Sequence, residues 1–303
     1  MNEPLWGIDL GGTKVEGVIM ASSEESKPVL RIRQDTEASL GYEHILNRIG
    51  ELVWEMEKRS GLKAKKIGIG TPGVLDPVLK TMKNANSVVL NGKPLEADLQ
   101  ALLSIPVTLA NDANCFALAE THWGVVKEKF PDASVVFGVI VGTGVGGGIV
   151  VNGKVWNGKH GIAGEWGHNF LDDSGGNCYC GKKGCVETVL SGPALERYYK
   201  GISGRAVKLK EIVQRQATGE PEAIQTIERL CHFFGKALSV VIDILDPEVI
   251  VVGGGVGNIP EIYTEGVKSL EAHIFNNRLD VPVVAPLLGD SAGVFGAAAL
   301  VKM

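Results

Sequence analysis

Apolar residues recur three or four positions apart in several parts of the chain, which is the spacing of one helix face. The pattern predicts helices over residues 42–59, 113–123, 222–245 and 291–303. Gly61 follows the first of these as a C-terminal stop, and Asp246-Pro247 ends the third. The last segment is rich in small residues, which favour both a helix and close packing.

Short apolar runs bounded by glycine, aspartate and asparagine predict strands. They cover residues 5–10, 15–20, 66–70, 107–110, 135–141, 148–155 and 249–252. Two pairs of strands read as hairpins closed by Gly/Thr turns, one at 11–14 and one at 142–147, about 130 residues apart. This repeat indicates a duplicated two-lobe α/β architecture, and the absence of a low-complexity linker favours lobes in contact across a cleft.

The composition narrows the class of protein. The 303 residues are 45% hydrophobic and 21% charged, with a formal net charge of −5, as expected of an acidic globular protein. No basic run is long enough to follow a phosphate backbone, so we expect no nucleic-acid partner. No segment resembles a signal peptide or a membrane span, so we expect a cytoplasmic protein without a membrane partner. Five cysteines in that compartment favour metal ligands or buried thiols over disulfides.

Three glycine-rich turns follow predicted strands, at residues 11–13, 142–148 and 253–257. Neither a P-loop nor a dinucleotide fingerprint is present at the first, because strand rather than helix follows it. Taken together, the turns favour backbone N–H groups that hold nucleotide phosphates, with Asp9 binding Mg²⁺ through water. Each turn on its own is equally consistent with an ordinary bend or bulge.

The sequence Asn111-Asp112-Ala113-Asn114 lies at a predicted strand end just before a helix. One interpretation is a simple helix N-cap. The other is catalytic: Asp112 orients an attacking hydroxyl group and accepts its proton.

Residues 161–187 combine a histidine, three cysteines and two glutamates with seven glycines. His168, Cys178, Cys180 and Cys185 supply the donors that tetrahedral Zn²⁺ prefers, although the Cys-x-Cys spacing is tighter than usual. The alternative is a set of reduced, uncoordinated side chains. A zinc ion would fix the neighbouring Glu165 and Glu187 as sugar ligands, and His168 could bind zinc with one ring nitrogen and a sugar hydroxyl with the other.

The order of these motifs resembles the ROK family of sugar kinases and sugar-responsive repressors. The resemblance rests on Asp9-x-Gly11-Gly12-Thr13, the Asn111–Asn114 motif, the glycine turns and the histidine–cysteine segment, and it extends from Ile8 to about Ala299. It implies an α/β protein of the actin-like ATPase (ribonuclease H-like) fold, with two mixed-sheet lobes around a central cleft. We place the small lobe at residues 1–111 with the C-terminal helix 291–303, and the large lobe at 112–290.

The resemblance also implies roles for individual residues. Asp112 becomes the catalytic base. The sugar ligands are Gly73, Asn86, Asn111, Asp112, Glu165, His168 and Glu187. Mg-ATP lies against Asp9, Gly11, Gly12, Thr13, Lys14, Thr143, Gly144, Gly254 and Gly255. A structural Zn²⁺ is held by His168, Cys178, Cys180 and Cys185.

The implied function is an ATP-dependent sugar kinase that phosphorylates the 6-hydroxyl of a hexose and forms a homodimer. Stretches such as CYCGKKGCVET resemble the fructokinase (manno/fructokinase) branch, which favours fructose or mannose. Glucokinase or N-acetylhexosamine kinase activity is the alternative, because N-acetylglucosamine kinases share NDANCFAL and GTGVGGG. A sugar-sensing repressor is a distant alternative, because only eight residues precede Asp9 here, whereas such repressors carry a helix-turn-helix there. A non-catalytic sugar- or zinc-binding scaffold would require Asp112 or the phosphate turns to be disrupted.

Overall fold

Twelve strands and ten helices make up the described fold. The structure is a computed structural model that describes residues 3–22, 27–289 and 292–302. The strands are β1 Leu5–Leu10, β2 Lys14–Met20, β3 Pro28–Asp35, β4 Ile67–Thr71, β5 Val74–Leu75, β6 Met82–Lys83, β7 Val107–Asn111, β8 Val135–Val141, β9 Val145–Val151, β10 Lys154–Val155, β11 Val249–Gly253 and β12 Val283–Val284. The helices are α1 Tyr42–Ser60, α2 Leu95–Leu103, α3 Asp112–His122, α4 Val125–Lys129, α5 Val186–Leu190, α6 Gly192–Ser203, α7 Leu209–Ala217, α8 Pro221–Leu245, α9 Glu265–Glu271 and α10 Ala292–Ala299.

The strands form two five-stranded sheets of the same design. The first has the order β3-β2-β1-β4-β7 and the second β10-β9-β8-β11-β12, and β5 pairs separately with β6. In the first sheet β1, β2 and β3 are antiparallel neighbours, whereas β1, β4 and β7 run parallel. In the second sheet β11 runs parallel to both β8 and β12. The predicted α/β class and the predicted duplication of a strand–turn–strand unit are confirmed.

The predicted elements match the observed ones closely, and the differences have local causes. Helix α1 ends at Gly61, whose φ of 70° is favourable for glycine, as its stop signal predicts. The predicted strand 148–155 is wrong in its bounds: β9 begins earlier, and a turn at Asn152 and Gly153, with φ of 52° and 72°, separates it from β10. Cys115 and Cys231 are buried thiols, as expected.

The chain forms two compact units. The first contains the described residues up to Ser134, Gly148–Ala163 and the described residues from Leu287 onward. The second contains Val135–Gly147 and Gly164–Pro286. The lobe boundary between residues 111 and 112 stays a prediction; α3 lies in the first unit. The predicted helix over 291–303 corresponds to α10, and Ser291 and Met303 lie outside the described residues.

In the first unit, α10 lies directly against the parallel strands. A Cβ atom on Gly7 of β1 would lie 2.3 Å from the Ala298 backbone nitrogen, and one on Gly68 of β4 would lie 1.9 Å from the Ala297 carbonyl oxygen. Glycine is required at both positions because the helix backbone occupies the space that a side chain would need. The small residues at the end of the sequence therefore hold α10 against the strands that carry the candidate site.

The other face of the first sheet is covered by α1. Its seven buried side chains, from Tyr42 to Met56, recur at the predicted helical spacing. They join the apolar side chains of β1, β2 and β4 in one core, which keeps the strand ends fixed. Among the helices of the described ranges, none combines the length and the apolar composition needed to cross a membrane.

Candidate active site and metal centre

Several candidate residues of the first unit lie at the carboxyl ends of neighbouring parallel strands. Asp9 of β1 pairs with Gly70 of β4, and the next residue of β4, Thr71, pairs with Asn111 of β7. Carboxyl ends of parallel strands meet at one edge of a sheet, where ligands of open α/β sheets bind. The strand register thus brings Asp9, Asn111 and the adjacent Asp112 to one edge.

Asn111, rather than Asp112, is the helix cap that the sequence motif predicts, and the catalytic role of Asp112 stays a prediction. Asn111 is the N-cap of α3, because its Oδ1 accepts a hydrogen bond of 2.8 Å from the Asn114 backbone N–H. Asp112 is solvent-exposed, and its Oδ1 accepts from the Ala113 backbone N–H at 2.8 Å. Although the residue as a whole is exposed, protein atoms packed around its carboxyl group reduce the hydration of that group and raise the pKa of Asp112. Because Asn111 supplies the cap, Asp112 keeps its Oδ2 for other partners.

Asp9 carries a second perturbed carboxyl group at this edge. Burial raises its pKa from 3.8 to about 6, and the negative charges of Asp112 and Glu16 add to the effect. Glu16 faces Asp9 across the β1–β2 pair, is 3% exposed, and accepts hydrogen bonds from Arg31 and, at 3.0 Å, from Arg33 Nε. Glu16 is not among the predicted site residues. The available signal was an acidic residue inside an otherwise apolar strand.

The first glycine turn is compact, and its backbone is exposed from Gly12 to Lys14. Gly11 N–H donates to the Lys14 carbonyl at 2.9 Å, which closes the hairpin. The Lys14 ammonium pairs with Asp35, so one predicted nucleotide contact already has a protein partner. Thr13 is exposed at the tip of the turn, where its hydroxyl is accessible.

Gly73 and Asn86, the two additional sugar-ligand candidates of this unit, lie on adjoining loops. Gly73 is in close contact with Ala85, and Asn86 N–H donates to the Pro72 carbonyl at 3.2 Å. Asn86 itself is exposed. The structure therefore brings these two candidates together.

In the second unit the two remaining phosphate turns lie side by side. Strands β8 and β11 are parallel neighbours, with Gly253 paired to Ile140, so the turns that follow them leave the same edge of the sheet. The predicted nucleotide contacts Thr143 and Gly144 belong to one turn, and Gly254 and Gly255 belong to the other. The strand register supports a joint role for these turns.

Glu187 joins the first of these turns to the histidine–cysteine segment. Its Oε2 accepts a hydrogen bond of 3.0 Å from Val145 N–H. A Cβ atom at Gly144 would lie 2.7 Å from the same oxygen, so glycine makes room for the carboxylate. The predicted sugar ligand therefore also fixes the backbone of a predicted nucleotide turn.

The four predicted zinc ligands form one cluster. Their donor atoms all lie within 4.8 Å of one another. His168 Nδ1 is 3.6 Å from Cys178 Sγ, and Cys180 Sγ is 3.6 Å from Cys185 Sγ. Tetrahedral zinc with bonds of about 2.0–2.3 Å separates its ligands by about 3.5–3.8 Å. The donor set and these two separations fit a zinc ion.

The tight Cys-x-Cys spacing works because the chain reverses direction beside it. Cys178 N–H donates to the Lys182 carbonyl at 2.8 Å, and Gly181 between them has a φ of 86°. Gly184 has a φ of 71°, and a Cβ atom there would lie 2.6 Å from the Asp172 carbonyl oxygen. These glycines allow the loop to fold around the cluster.

The second ring nitrogen of His168 faces a residue that the sequence analysis did not consider. His168 Nε2 lies 3.0 Å from the hydroxyl oxygen of Tyr179, and the two rings meet edge to face. Contact of its hydroxyl group with neighbouring protein atoms, followed by the charges of Glu187 and Glu165, raises the pKa of Tyr179 to about 12. The sequence feature that could have identified Tyr179 is its position between two predicted cysteine ligands, Cys178 and Cys180. The His168 Nε2 atom, which we predict to bind a sugar hydroxyl, thus already contacts the hydroxyl group of Tyr179.

The structure groups the predicted site residues by unit. The first unit contains Asp9, Gly11, Gly12, Thr13, Lys14, Gly73, Asn86, Asn111 and Asp112. The second contains Thr143, Gly144, Glu165, His168, Cys178, Cys180, Cys185, Glu187, Gly254 and Gly255. Their union in one active site stays a prediction.

Comparison with known proteins identifies close similarity over the whole chain. The model of the ROK family matches residues 5–303. The chain is 35% identical over 307 residues to an N-acetyl-D-glucosamine kinase from Pasteurella multocida, covering 97% of this chain and 98% of that relative. It superposes on a ROK hexokinase from Thermus thermophilus with a TM-score of 0.87 and 31% identity, covering 98% and 97% of the two chains. A ROK family glucokinase from Streptomyces griseus, solved with glucose and AMPPNP, gives a TM-score of 0.78 at 28% identity and 99% coverage of both chains. The predicted actin-like ATPase fold is confirmed by these superpositions.

Proposed function

The chain belongs to the ROK family, and we propose that it is an ATP-dependent sugar kinase that phosphorylates the 6-hydroxyl of a hexose. The observation that carries this proposal is the strand register that brings Asp9 and Asp112 to one sheet edge, beside the exposed turn at Gly12. Phosphoryl transfer requires an oriented hydroxyl group and a site for the phosphates and their metal ion. Asp112 and Asp9 suit these two tasks.

Asp112 is proposed to accept the proton of the sugar hydroxyl. Its Oδ1 is fixed by Ala113 N–H at 2.8 Å, which orients Oδ2 for that hydroxyl. The raised pKa of Asp112 makes it a stronger base than an ordinary aspartate. Since phosphoryl transfer has a loose transition state, the main contribution of Asp112 is to position the hydroxyl.

The remaining predicted residues are assigned to binding. Asp9 would hold Mg²⁺ through water, and the backbone N–H groups of the glycine turns would hold the phosphates of ATP. Zinc would be held by His168, Cys178, Cys180 and Cys185. With four protein ligands it would have no open position for substrate, and it would keep the loop in one conformation. The sugar hydroxyl groups would then bind to Glu165, His168 and Glu187, together with Gly73, Asn86 and Asn111.

N-acetyl-D-glucosamine is the sugar we propose first. The support is the relative from P. multocida, which carries that activity in its name and matches 97% of this chain. Fructose and mannose are the second candidates, because the histidine–cysteine segment resembles the fructokinase branch. Glucose is a third, given the similarity to the glucokinase from S. griseus. The homodimer implied by the resemblance belongs to the same proposal, and light scattering of the purified protein tests it.

A coupled assay of ADP release tests the proposal directly. Purified protein is supplied with Mg-ATP and, in separate reactions, N-acetyl-D-glucosamine, N-acetyl-D-mannosamine, glucose, fructose or mannose. We expect sugar-dependent turnover, with the highest kcat/KM for N-acetyl-D-glucosamine. Highest kcat/KM for fructose or mannose would reverse the order of the candidates. No turnover with any sugar would refute the kinase activity itself.

A further inference from the structure

Tyr179 has an unusual position between two metal ligands of the histidine–cysteine segment. Its hydroxyl oxygen lies 3.0 Å from His168 Nε2, and the ring centroids are 5.2 Å apart at an angle of 90°. The side chain is nevertheless 69% exposed, so its ring is not part of the core. An exposed aromatic side chain held by one hydrogen bond can leave its position at low cost.

The direction of this hydrogen bond follows from the cluster. His168 Nδ1 faces Cys178 Sγ at 3.6 Å, within the cluster of donor atoms. A neutral histidine that ligates metal through Nδ1 carries its proton on Nε2. His168 Nε2–H therefore donates to the Tyr179 oxygen, which is the interaction that a sugar hydroxyl oxygen would accept.

We propose that the Tyr179 hydroxyl is an internal substitute for a sugar hydroxyl, which occupies His168 Nε2–H in the sugar-free protein and must leave when sugar binds. The inference rests on the proposed function, in which His168 is a sugar ligand. Tyr179 then lowers sugar affinity, because each sugar molecule must replace a hydrogen bond that already exists. It also keeps the His168 ring oriented while no sugar is bound.

The geometry of the loop lets the side chain move while its backbone stays in place. The neighbouring Cys178 and Cys180 are both cluster residues, so the backbone on each side of Tyr179 is held. Rotation about the side-chain bonds is sufficient to break the hydrogen bond to His168.

The decisive variant is Tyr179→Phe, which removes only the hydroxyl oxygen. We expect the sugar Kd from calorimetry and the sugar KM to fall about two- to ten-fold, as expected for one net hydrogen bond, with kcat changed less than about two-fold. The matched control is Tyr198→Phe on α6, where the ring packs against the Arg229 guanidinium. Its Kd and KM should be those of the parent protein. Zinc content and circular dichroism are measured for both variants.

An unchanged or increased Kd in a folded, zinc-containing Tyr179→Phe variant would overturn the proposal. If that variant loses zinc or fails to fold, the decision passes to the otherwise unaltered protein with 3-fluorotyrosine at position 179. Its ¹⁹F resonance should move on saturation with the sugar, and a resonance that stays in place would overturn the proposal. If the parent protein binds none of the five sugars, the proposed function itself is refuted. If the parent protein binds sugar and only the Tyr179 result fails, the proposed function stands and the inference about Tyr179 is wrong.

Discussion

Asp9 provides a sharp test of how the candidate site affects stability. Its pKa of about 6, against an ordinary value of 3.8, means that the folded protein disfavours the ionised form. At 1.36 kcal/mol per unit of pKa, the difference destabilises the folded state by at most about 3 kcal/mol at neutral pH. Asp9→Asn removes the charge and keeps the shape. We therefore expect the variant to be more stable than the parent by up to about 3 kcal/mol at pH 8.

The dependence on pH has a definite sign. Because the folded-state pKa of Asp9 is raised, the folded state binds the proton more tightly than the unfolded chain does. The destabilisation is therefore complete above about pH 6 and disappears as the pH falls from about 6 towards 3.8. The stability advantage of Asp9→Asn should shrink over the same range.

Thermal unfolding of ligand-free protein at pH 8, 6 and 4.5 measures the effect. For a chain of this length, about 3 kcal/mol corresponds to a rise of about 5 °C in the midpoint of cooperative unfolding. Asp35→Asn is the matched control, because the exposed Asp35 pairs with Lys14 and its pKa is lowered, so its variant should gain no stability. A midpoint of Asp9→Asn that is lower than that of the parent, or an advantage that does not depend on pH, would refute the reasoning.

Three further changes test other parts of the site and fold. Asp112→Asn should reduce kcat by about 10²- to 10⁴-fold while calorimetry still detects sugar binding, and an unchanged kcat would exclude Asp112 as the base. Elemental analysis should find about one zinc per chain, and Cys185→Ser or chelation should lower the unfolding midpoint, whereas full stability and activity without zinc would contradict a structural role. Gly68→Ala should destabilise the protein by about 3 kcal/mol in urea unfolding, because its Cβ would lie 1.9 Å from the Ala297 oxygen. The control is Gly201→Ala, whose Cβ would meet no neighbouring group within 4 Å, so this variant should be neutral or stabilising.

The elements that sequence patterns predict best are those with a strong period and a clear stop. Helix α1 is an example, because its apolar spacing and Gly61 are both local features. Strand β3 has a weaker signal: every second residue is exposed but only Ile32 is fully buried, and the strand is stabilised by pairing with β2. The edge strand β12 has two residues and depends in the same way on β11. Pairing between distant segments is a tertiary interaction that a local pattern does not contain.

The candidate site likewise contains residues that local sequence patterns predict and residues whose roles depend on distant contacts. The four predicted zinc ligands come together because their spacing and chemistry are both local to residues 168–185. The roles of Glu16 and Tyr179 depend on which side chains they meet, and those partners are Arg31 and Arg33 on β3 and the ring of His168. A sequence motif identifies ligands by residue type, whereas it does not show which of their atoms already have partners.

The fit between α10 and the glycines of β1 and β4 has a consequence for biosynthesis. Gly7 and Gly68 precede the helix that covers them, Ala292–Ala299, by more than two hundred residues, so the ribosome makes them long before it makes that helix. The positions of β1 and β4 that α10 covers therefore stay uncovered until α10 has been made. Until then the nascent chain exposes a strand face, and exposed strand surface of this kind is prone to aggregation.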